Sequence, residues 1–358
     1  MSWSFPIARI AGTVVKVHVT FLLLLGVFLV AGGVAAVIMI LAIFACVLLH
    51  EFGHVAMAKR FGVNTPDVIL LPIGGLARLE RMPEEPKQEL LIALAGPAVT
   101  LVLAAAFYAL LRAGGATPPL LPSLTVAGDS LISDLYRINV LLLLFNLIPA
   151  FPMDGGRVLR AILAARQGLP KATRIAASVG QILAFGLGFA ALMSGNMLLL
   201  LIAFFVFLGA GSEAAAVETR AAGLGLTVRE MMVTDFRTLP AWATLRDAAE
   251  LLVAGDQREF PIVDNAGEVE GILSRDELVK GLSQKGPDAL ARAALSAASP
   301  PVSAILPFEA ALAALQSSGR SALPVIEHGR LIGLLTKDNI TDLVLVRRAV
   351  SREDGKTG

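Results

Sequence analysis

The chain has 358 residues, of which 56% are hydrophobic and only 16% are charged, and its formal net charge at pH 7 is +1. A soluble domain has about 25% charged residues, so this composition excludes a wholly soluble protein. The near-zero net charge also excludes the strongly basic surface of a nucleic-acid binder, and we expect no nucleic-acid partner. The single cysteine, Cys46, excludes an internal disulfide.

Four long stretches without a formal charge predict membrane-spanning helices, each of which needs about 20 apolar residues. These stretches are residues 17–49, 90–111, 138–153 and 175–212. Glycines at 32 and 33 divide the first stretch, and Ser194-Gly195-Asn196 divides the last. We therefore predict a polytopic α-helical membrane protein with six transmembrane helices, at 15–31, 34–60, 87–111 and 131–148 and in the two halves of 175–212. Residues 1–220 form this membrane domain, and residues 221–358 read as a soluble tail.

The distribution of lysine and arginine predicts the orientation of these helices. The loops near residue 32, at 113–130 and near residue 195 contain no Lys or Arg, whereas the loops on the opposite side contain many. Positive charge is enriched in cytoplasmic loops. We therefore expect a multi-pass protein of the cell membrane with both termini in the cytoplasm.

The second predicted helix carries the sequence "HEFGH", which places His50, Glu51 and His54 in an apolar segment. Residues i and i+4 share one helix face, so the two imidazoles can bind one metal ion. Glu51 lies about 100° around the helix, from where it can reach a water on that metal and act as a general base. Ionisable residues at membrane depth are costly without such a function.

A third ligand is expected in "NLIPAFPMDGGR", residues 146–157, where two prolines and a glycine pair interrupt the helix. Asp154 is the best candidate, because unwound backbone at membrane depth must line a cavity or lie buried in protein. His18 and His328 read as interfacial or surface residues. Asn146 is expected either to hydrogen-bond the substrate or a developing oxyanion, or to join two helices.

"HEFGH" followed by "NLIPAFPMDGGR" resembles the site-2 protease family of intramembrane zinc metalloproteases. The resemblance implies one zinc ion per chain bound by His50, His54 and Asp154, with Glu51 as the catalytic glutamate. It also implies a membrane-spanning or membrane-tethered protein substrate, such as an anti-sigma factor or a tethered transcription factor. Many relatives have asparagine at the position of Thr100, which leaves the polar role of that helix open.

Residues 66–81 contain two strand-like runs around Gly74 and Gly75, which read as a tight turn. This segment is either an interfacial loop without a special role or a hairpin at the mouth of the site. In the second case its edge could pair with an extended substrate segment.

The tail contains an internal repeat, because "EFPIVDNAGEVEGILSRDELVKGL" from Glu259 registers with "ALPVIEHGRLIGLLTKDNITDLV" from Ala322. Each copy reads strand, turn, strand, helix. The repeat resembles tandem cystathionine-beta-synthase (CBS) domains of α/β structure, at about 224–283 and 296–348.

The CBS resemblance implies homodimerisation and the binding of ATP or AMP, with a purely structural role as the alternative. The ribose-binding positions would be Ser274 and Glu277 in the first copy and Thr336 and Asn339 in the second. Both Glu277 and Asn339 depart from the usual aspartate.

Paired CBS domains also follow transport domains, so a CBS-regulated membrane transporter or channel is the alternative function. A transporter needs no general base beside two histidines, and a catalytically inactive scaffold would not keep all four metal-site residues. The sequence therefore favours the protease.

Overall fold

The computed structural model describes residues 3–72, 74–78, 85–119, 130–296 and 299–354. The chain divides into two compact units, Met1–Ala215 and Ala216–Gly358. The sequence placed this boundary at residue 220, and both positions lie inside one long helix, Met197–Gly223.

A four-stranded sheet forms part of the first unit, and its strands lie in chain order: β1 (Ser4–Ile10), β2 (Thr13–His18), β3 (Asp67–Leu71) and β4 (Gly74–Arg78). The pairs β1–β2 and β3–β4 are antiparallel, and β2–β3 is parallel. The prediction of a helix from residue 15 is therefore wrong at its start. A run without charges cannot distinguish a strand from a helix, and the β-branched residues of "TVVKVH" favour the strand.

The predicted turn at Gly74 and Gly75 is also wrong, because both residues belong to β4. Gly74 pairs with Leu71 and Gly75 pairs with Leu70. Of the predicted hairpin at residues 66–81, Ile73 and residues 79–81 lie outside the described residues, and Pro72 is a turn residue.

Helix α1 (Val19–Arg60) is 42 residues long and is interrupted at Gly33, where φ is 67° and ψ is −163°. Only glycine adopts such a backbone conformation without strain, so this break is fixed by the residue type. The predicted division at 32–33 is confirmed. His18 caps the first turn, and its Nδ1 accepts a hydrogen bond from the backbone N–H of Thr20.

Five further helices follow α1 in the described residues up to Gly223: α2 (Pro86–Ala113), α3 (Leu131–Asn146), α4 (Asp154–Gln167), α5 (Leu169–Ser194) and α6 (Met197–Gly223). The last of them continues past Ala215, where the first unit ends. Among the described residues, four helices are long and apolar enough to cross a membrane, namely α1, α2, α5 and α6. The predicted count of six is not confirmed. α1 is one helix despite its break and so gives one candidate span instead of two. α3 has only 16 residues, fewer than a helix perpendicular to the membrane needs to span it.

Residues 147–153 leave helical geometry between α3 and α4, as the prolines predicted. Helical structure resumes at Asp154, three residues before the predicted position near Arg157. Ala150 and Phe151 are buried and pack against residues of α5 and α6. The middle of the non-helical segment is therefore packed against protein, as non-helical backbone at membrane depth requires, while Leu147, Pro149 and Pro152 are exposed.

The second unit consists of two similar α/β halves, as the repeat predicted. α7 (Val228–Met231) comes first in the chain and packs in the hydrophobic core of the second half. The first half contains β5 (Leu239–Pro240), α8 (Leu245–Ala254), β6 (Glu259–Val263), β7 (Val269–Ser274) and α9 (Arg275–Lys285). The second contains β8 (Val302–Ser303), α10 (Phe308–Ser318), β9 (Ala322–Glu327), β10 (Arg330–Thr336) and α11 (Lys337–Asp354). Each half has a three-stranded sheet with one parallel and one antiparallel pair. Ile272, Ala322 and Leu334 pack the halves together.

Candidate metal centre

Three potential metal ligands converge in the first unit, although they come from positions about a hundred residues apart. His50 Nε2 lies 3.1 Å from His54 Nε2 and 3.1 Å from Asp154 Oδ2, and His54 Nε2 lies 3.2 Å from the same oxygen. All three residues are buried, with exposed fractions of 4%, 6% and 8%. Helix α1 supplies both histidines, and the first residue of α4 supplies the carboxylate.

The distances among these three atoms fit a zinc ion. Zinc binds imidazole nitrogen and carboxylate oxygen at about 2.0–2.2 Å, and tetrahedral coordination then separates two ligands by about 3.3 Å. Two histidines and one carboxylate are also a ligand set that catalytic zinc enzymes use. The donor atoms and their spacing therefore suit one zinc ion.

The hydrogen bonds of His54 fix its tautomer in the state that metal binding requires. Its Nδ1 lies 2.7 Å from the backbone oxygen of Ile92 on α2. A carbonyl oxygen only accepts, so Nδ1 carries the proton and, in the neutral ring, Nε2 keeps a free lone pair. Such outer contacts orient metal-binding histidines in many sites.

Thr100 on α2 performs the same function for His50. The hydroxyl of Thr100 donates to the backbone oxygen of Gly96 at 3.3 Å, and it accepts from His50 Nδ1 at 2.8 Å. The sequence left the role of Thr100 open, and the structure places it, fully buried, behind His50, a candidate metal ligand. Nothing in the sequence alone showed which residue it faced.

The imidazoles fit against α2 because that helix has a glycine opposite them. A Cβ on Gly96 would lie 2.2 Å from His54 Nε2 and 2.7 Å from His50 Nε2. On α1, a Cβ on Gly53 would lie 2.6 Å from the backbone oxygen of Ala95. Small residues let two helices approach closely, and here this approach also leaves space for the two rings.

Glu51 lies beside the cluster and against β4. A Cβ on Gly75 would lie 2.5 Å from Glu51 Cγ, so the absence of a side chain at Gly75 provides the space for the glutamate. This contact gives the physical reason for glycine within β4. Glu51 is half-buried, unlike the two histidines that flank it.

The first turn of α4 holds Asp154 in place through two further glycines. A Cβ on Gly155 would lie 2.2 Å from the backbone oxygen of Ile148, and one on Gly156 would lie 2.5 Å from the backbone of Ala150 and Phe151. The non-helical segment therefore folds directly back onto the helix that begins with the ligand. The sequence predicted that this glycine pair permits a sharp turn and close backbone approach. The close approach is confirmed, whereas both glycines are helical residues of α4.

The remaining candidates from the sequence have other positions. Asn146 is the last residue of α3 and is half-buried, and its contact with substrate stays a prediction. His18 caps α1, and His328 lies in the turn between β9 and β10 with φ of 51°. The cluster identified among the described residues consists of His50, His54 and Asp154.

Comparison with known proteins shows which family this chain belongs to. The sequence pattern of Peptidase family M50 matches residues 38–119 and 122–187, and that of the CBS domain matches residues 228–284 and 299–346. A zinc metalloprotease of Methanocaldococcus jannaschii is 31% identical over 277 residues, which cover 76% of this chain and 78% of that protein. The chain belongs to peptidase family M50, the site-2 protease family. This M50 protease is also similar to Rip3 of Mycobacterium tuberculosis, with 31% identity over 98% of this chain and 95% of that protein.

A solved site-2 protease from Methanocaldococcus jannaschii is 36% identical, covers 59% of this chain and 95% of its own, and gives a TM-score of 0.47. The family membership confirms the predicted enzyme class, a zinc metalloprotease with CBS domains. It therefore decides against the transporter or channel.

In the second unit, the first predicted ribose-binding pair is engaged in internal contacts. Ser274 caps α9, and its backbone N–H and hydroxyl donate to Glu277 Oε2. Arg320, from the turn before β9, donates to Glu277 Oε1 at 2.6 Å, and Ser296 donates to the same oxygen. We call Ser274, Glu277, Ser296 and Arg320 the tail clamp.

The second predicted ribose-binding pair, Thr336 and Asn339, also makes hydrogen bonds within the protein. Thr336 Oγ1 accepts from the backbone N–H of Asn339 at 3.0 Å and so caps the first turn of α11. The amide of Asn339 donates to the backbone oxygen of Met231. A nucleotide would have to replace some of these contacts, and ribose binding by the four residues stays a prediction.

The first prediction concerns Gly96. Gly96→Ala places a methyl group within 2.2 Å of one ligating nitrogen and 2.7 Å of the other, so the rings must move. We expect zinc affinity to fall at least about tenfold, as in other sites with disturbed ligand orientation. Chelator competition on the purified protein measures this change. Gly186→Ala on α5 is the matched control, because its Cβ meets nothing within 4 Å. Wild-type zinc affinity in Gly96→Ala would contradict the described packing.

The second prediction concerns the tail clamp and pH. Burial raises the pKa of Glu277, but the hydrogen bonds from Arg320, Ser296 and Ser274 outweigh this effect and lower the pKa from 4.5 to about 2. The resulting stabilisation is complete above about pH 4.5 and is lost as the pH falls towards 2. Glu277→Gln should therefore cost about 2 kcal/mol at pH 7 and progressively less in this acidic range.

Unfolding of the full chain in detergent, followed by the fluorescence of Trp242 in a Trp3→Phe background, measures the difference. The exposed Glu309 on α10 provides a control, since Glu309→Gln should leave the midpoint unchanged. A cost for Glu277→Gln that is the same at pH 7 and pH 2.5 would rule out the clamp as its origin.

Proposed function

We propose that this M50 protease hydrolyses a peptide bond in or near the transmembrane segment of a membrane-tethered protein. His50, His54 and Asp154 bind one zinc ion, and Glu51 is the general base. The observation that carries the proposal is the convergence of three buried ligand atoms within 3.2 Å of one another, with both histidine tautomers fixed. Zinc in this ligand set polarises a peptide carbonyl and lowers the pKa of a water molecule.

The protein itself supplies proton transfer and orientation. Glu51 takes a proton from the attacking water and later transfers it to the nitrogen of the departing amine. The glutamate side chain packs against Gly75 of β4, and its neighbour in the sequence, His50, belongs to the cluster. Asn146, at the end of α3, is proposed to donate a hydrogen bond to the reacting carbonyl, with hydrogen bonding between helices as the alternative.

The substrate segment is proposed to bind as an extended strand beside β4. β4 is the last strand in the sheet order and, in the described part of the chain, pairs with β3 alone. Main-chain hydrogen bonds to a sheet edge are a common mode of peptide recognition. This mode would bring a peptide next to Glu51, which contacts Gly75 of the same strand. A substrate helix must unwind first, because its carbonyl groups are hydrogen-bonded internally.

By resemblance to the family, the reaction belongs to regulated intramembrane proteolysis, with an anti-sigma factor or a tethered transcription factor as substrate. We also propose six membrane crossings in a cell membrane, with both termini in the cytoplasm. The break of α1 at Gly33 and the absence of Lys and Arg from three loops support this topology.

The tail is proposed to bind ATP or AMP, to modulate cleavage and to form a homodimer. The CBS sequence matches in both halves support these assignments. Because Arg320 already contacts Glu277, nucleotide binding in the first half would include displacement of this guanidinium.

The third prediction tests catalysis. Glu51→Gln keeps the size of the side chain but removes its proton acceptor, so we expect zinc content to be unchanged and cleavage to fall by about 10²–10⁴-fold. Metal analysis is combined with mass spectrometry of the fragments from a single-span model substrate. Glu250→Gln on the exposed face of α8 serves as the control. Full cleavage by Glu51→Gln would disprove the assigned role.

The fourth prediction tests nucleotide binding by the full chain. A ligand at 100 times its Kd stabilises the folded state by about 2.7 kcal/mol, so ATP should raise the unfolding midpoint of the tail. Arg320→Ala removes the internal competitor of Glu277 and should lower the apparent Kd for ATP. If neither calorimetry nor unfolding detects millimolar ATP with wild type or Arg320→Ala, the tail has a structural role.

A further inference from the structure

A second buried polar cluster lies in the first unit, away from the three metal-site residues. Arg160 on α4 is one of the largest fully buried side chains. Its Nε donates to Glu89 Oε1 at 2.6 Å, and its Nη1 donates to Glu213 Oε1 at 2.7 Å. Its Nη2 also contacts Glu89. We call Arg160, Glu89 and Glu213 the Arg160 clamp.

The Arg160 clamp joins three helices, since Glu89 belongs to α2 and Glu213 belongs to α6. The guanidinium also lies 4.9 Å from the ring centroid of Phe151, in the non-helical segment just before α4. Arginine presents several donors in a rigid plane, so two carboxylates from different helices fix its orientation. The clamp therefore fixes the position of α4 on three sides.

Net stability is a poor explanation for such a cluster. Removing charged groups from water is costly, and well-packed apolar residues of similar volume often stabilise a protein equally well. The clamp does, however, specify one arrangement of helices, because its hydrogen bonds form in only one geometry. This arrangement includes α2 and α4, which both contribute residues to the metal centre.

The two helices joined by Arg160 and Glu89 both contribute residues to the metal centre, whose histidines come from α1. α4 begins with Asp154, and Arg160 follows after about 9 Å of helix. α2 carries Glu89 and, further along, Ile92 and Thr100, whose oxygens accept from the two histidines. A displacement of α4 relative to α2 would therefore change the distance between the Asp154 carboxylate and the imidazoles.

We propose that Arg160 is a positioning residue for zinc binding, which sets the place of Asp154 through α4 and contacts no substrate. This inference rests on the ligand set proposed above. It makes the affinity for zinc depend on a residue outside the ligand set. Zinc affinity and folding stability must therefore be measured separately for each variant.

Two variants of the full-length protein in detergent test the proposal. Arg160→Lys keeps the positive charge, but lysine has no planar guanidinium that can hydrogen-bond both carboxylates in one fixed orientation. The triple variant Glu89→Gln, Arg160→Met, Glu213→Gln removes the charges together, so that no buried charge is left without a partner. Arg166→Met, an exposed position in the last turn of the same helix, is the control. Zinc affinity by chelator competition and the thermal unfolding midpoint of the metal-free protein are measured for each.

We expect the triple variant to bind zinc about 10–100-fold more weakly, Arg160→Lys to show a smaller loss, and Arg166→Met to match wild type. The unfolding midpoints of the metal-free Arg160→Lys and control proteins should stay close to wild type. Wild-type zinc affinity in folded Arg160→Lys and in the triple variant would overturn the positioning role. If the triple variant does not fold, Arg160→Lys alone decides.

The same measurements separate this inference from the proposed function. Asp154→Ala is included for that purpose. If Asp154→Ala loses zinc while the Arg160 variants keep it, the ligand set stands and the inference fails. If Asp154→Ala binds zinc as wild type does, the proposed ligand set itself is wrong.

Discussion

The structure depends on holding three polar ligand atoms close together inside an apolar helical domain. His50, His54 and Asp154 are buried and present their Nε2 and Oδ2 atoms to one another within 3.2 Å. When each ring carries its proton on Nδ1 alone, the Nε2 lone pairs point at each other and at the carboxylate. This arrangement favours a cation at the centre and is costly in an apolar environment without one. The surrounding helices are arranged so that the site is compact and correctly oriented.

Close packing between α1 and α2 provides this orientation. Gly53 and Gly96 let the helices approach, while Ile92 and Thr100 accept from the two imidazoles. Small residues and hydrogen-bond acceptors thus alternate on the face of α2 that meets α1. Interhelical packing in membranes depends on such shape matching, because lipid is as apolar as the helix surface. In this protease the same contacts that join two helices also fix two histidine tautomers.

The tail matches the CBS domain, but two of its predicted ribose-binding positions depart from the usual residue. The two α/β halves follow the CBS pattern, yet Glu277 uses its carboxylate for Ser274, Ser296 and Arg320. The extra methylene of glutamate, compared with aspartate, extends its carboxylate towards the second half. A residue at a ribose-binding position of the CBS motif can therefore be hydrogen-bonded within the protein, and the motif alone does not show such bonds. A ligand that uses the Glu277 carboxylate has to compete with these bonds.

The sequence by itself determined the metal ligands as candidates, the helix breaks and the internal repeat. Each of these follows from local chemistry: the i, i+4 spacing of two histidines, the conformational freedom of glycine at position 33 and the restriction imposed by prolines before Asp154. The spacing of one motif and the breaks in the hydrophobic pattern are visible without any knowledge of packing.

Only the tertiary structure decided that residues 13–18 form a strand, that Gly75 leaves room for Glu51, and that Thr100 supports His50. These features depend on contacts between residues far apart in the chain, and a sequence pattern contains no distance between such residues. The Arg160 clamp is of the same kind, since its three members are ordinary charged residues until the helices bring them together.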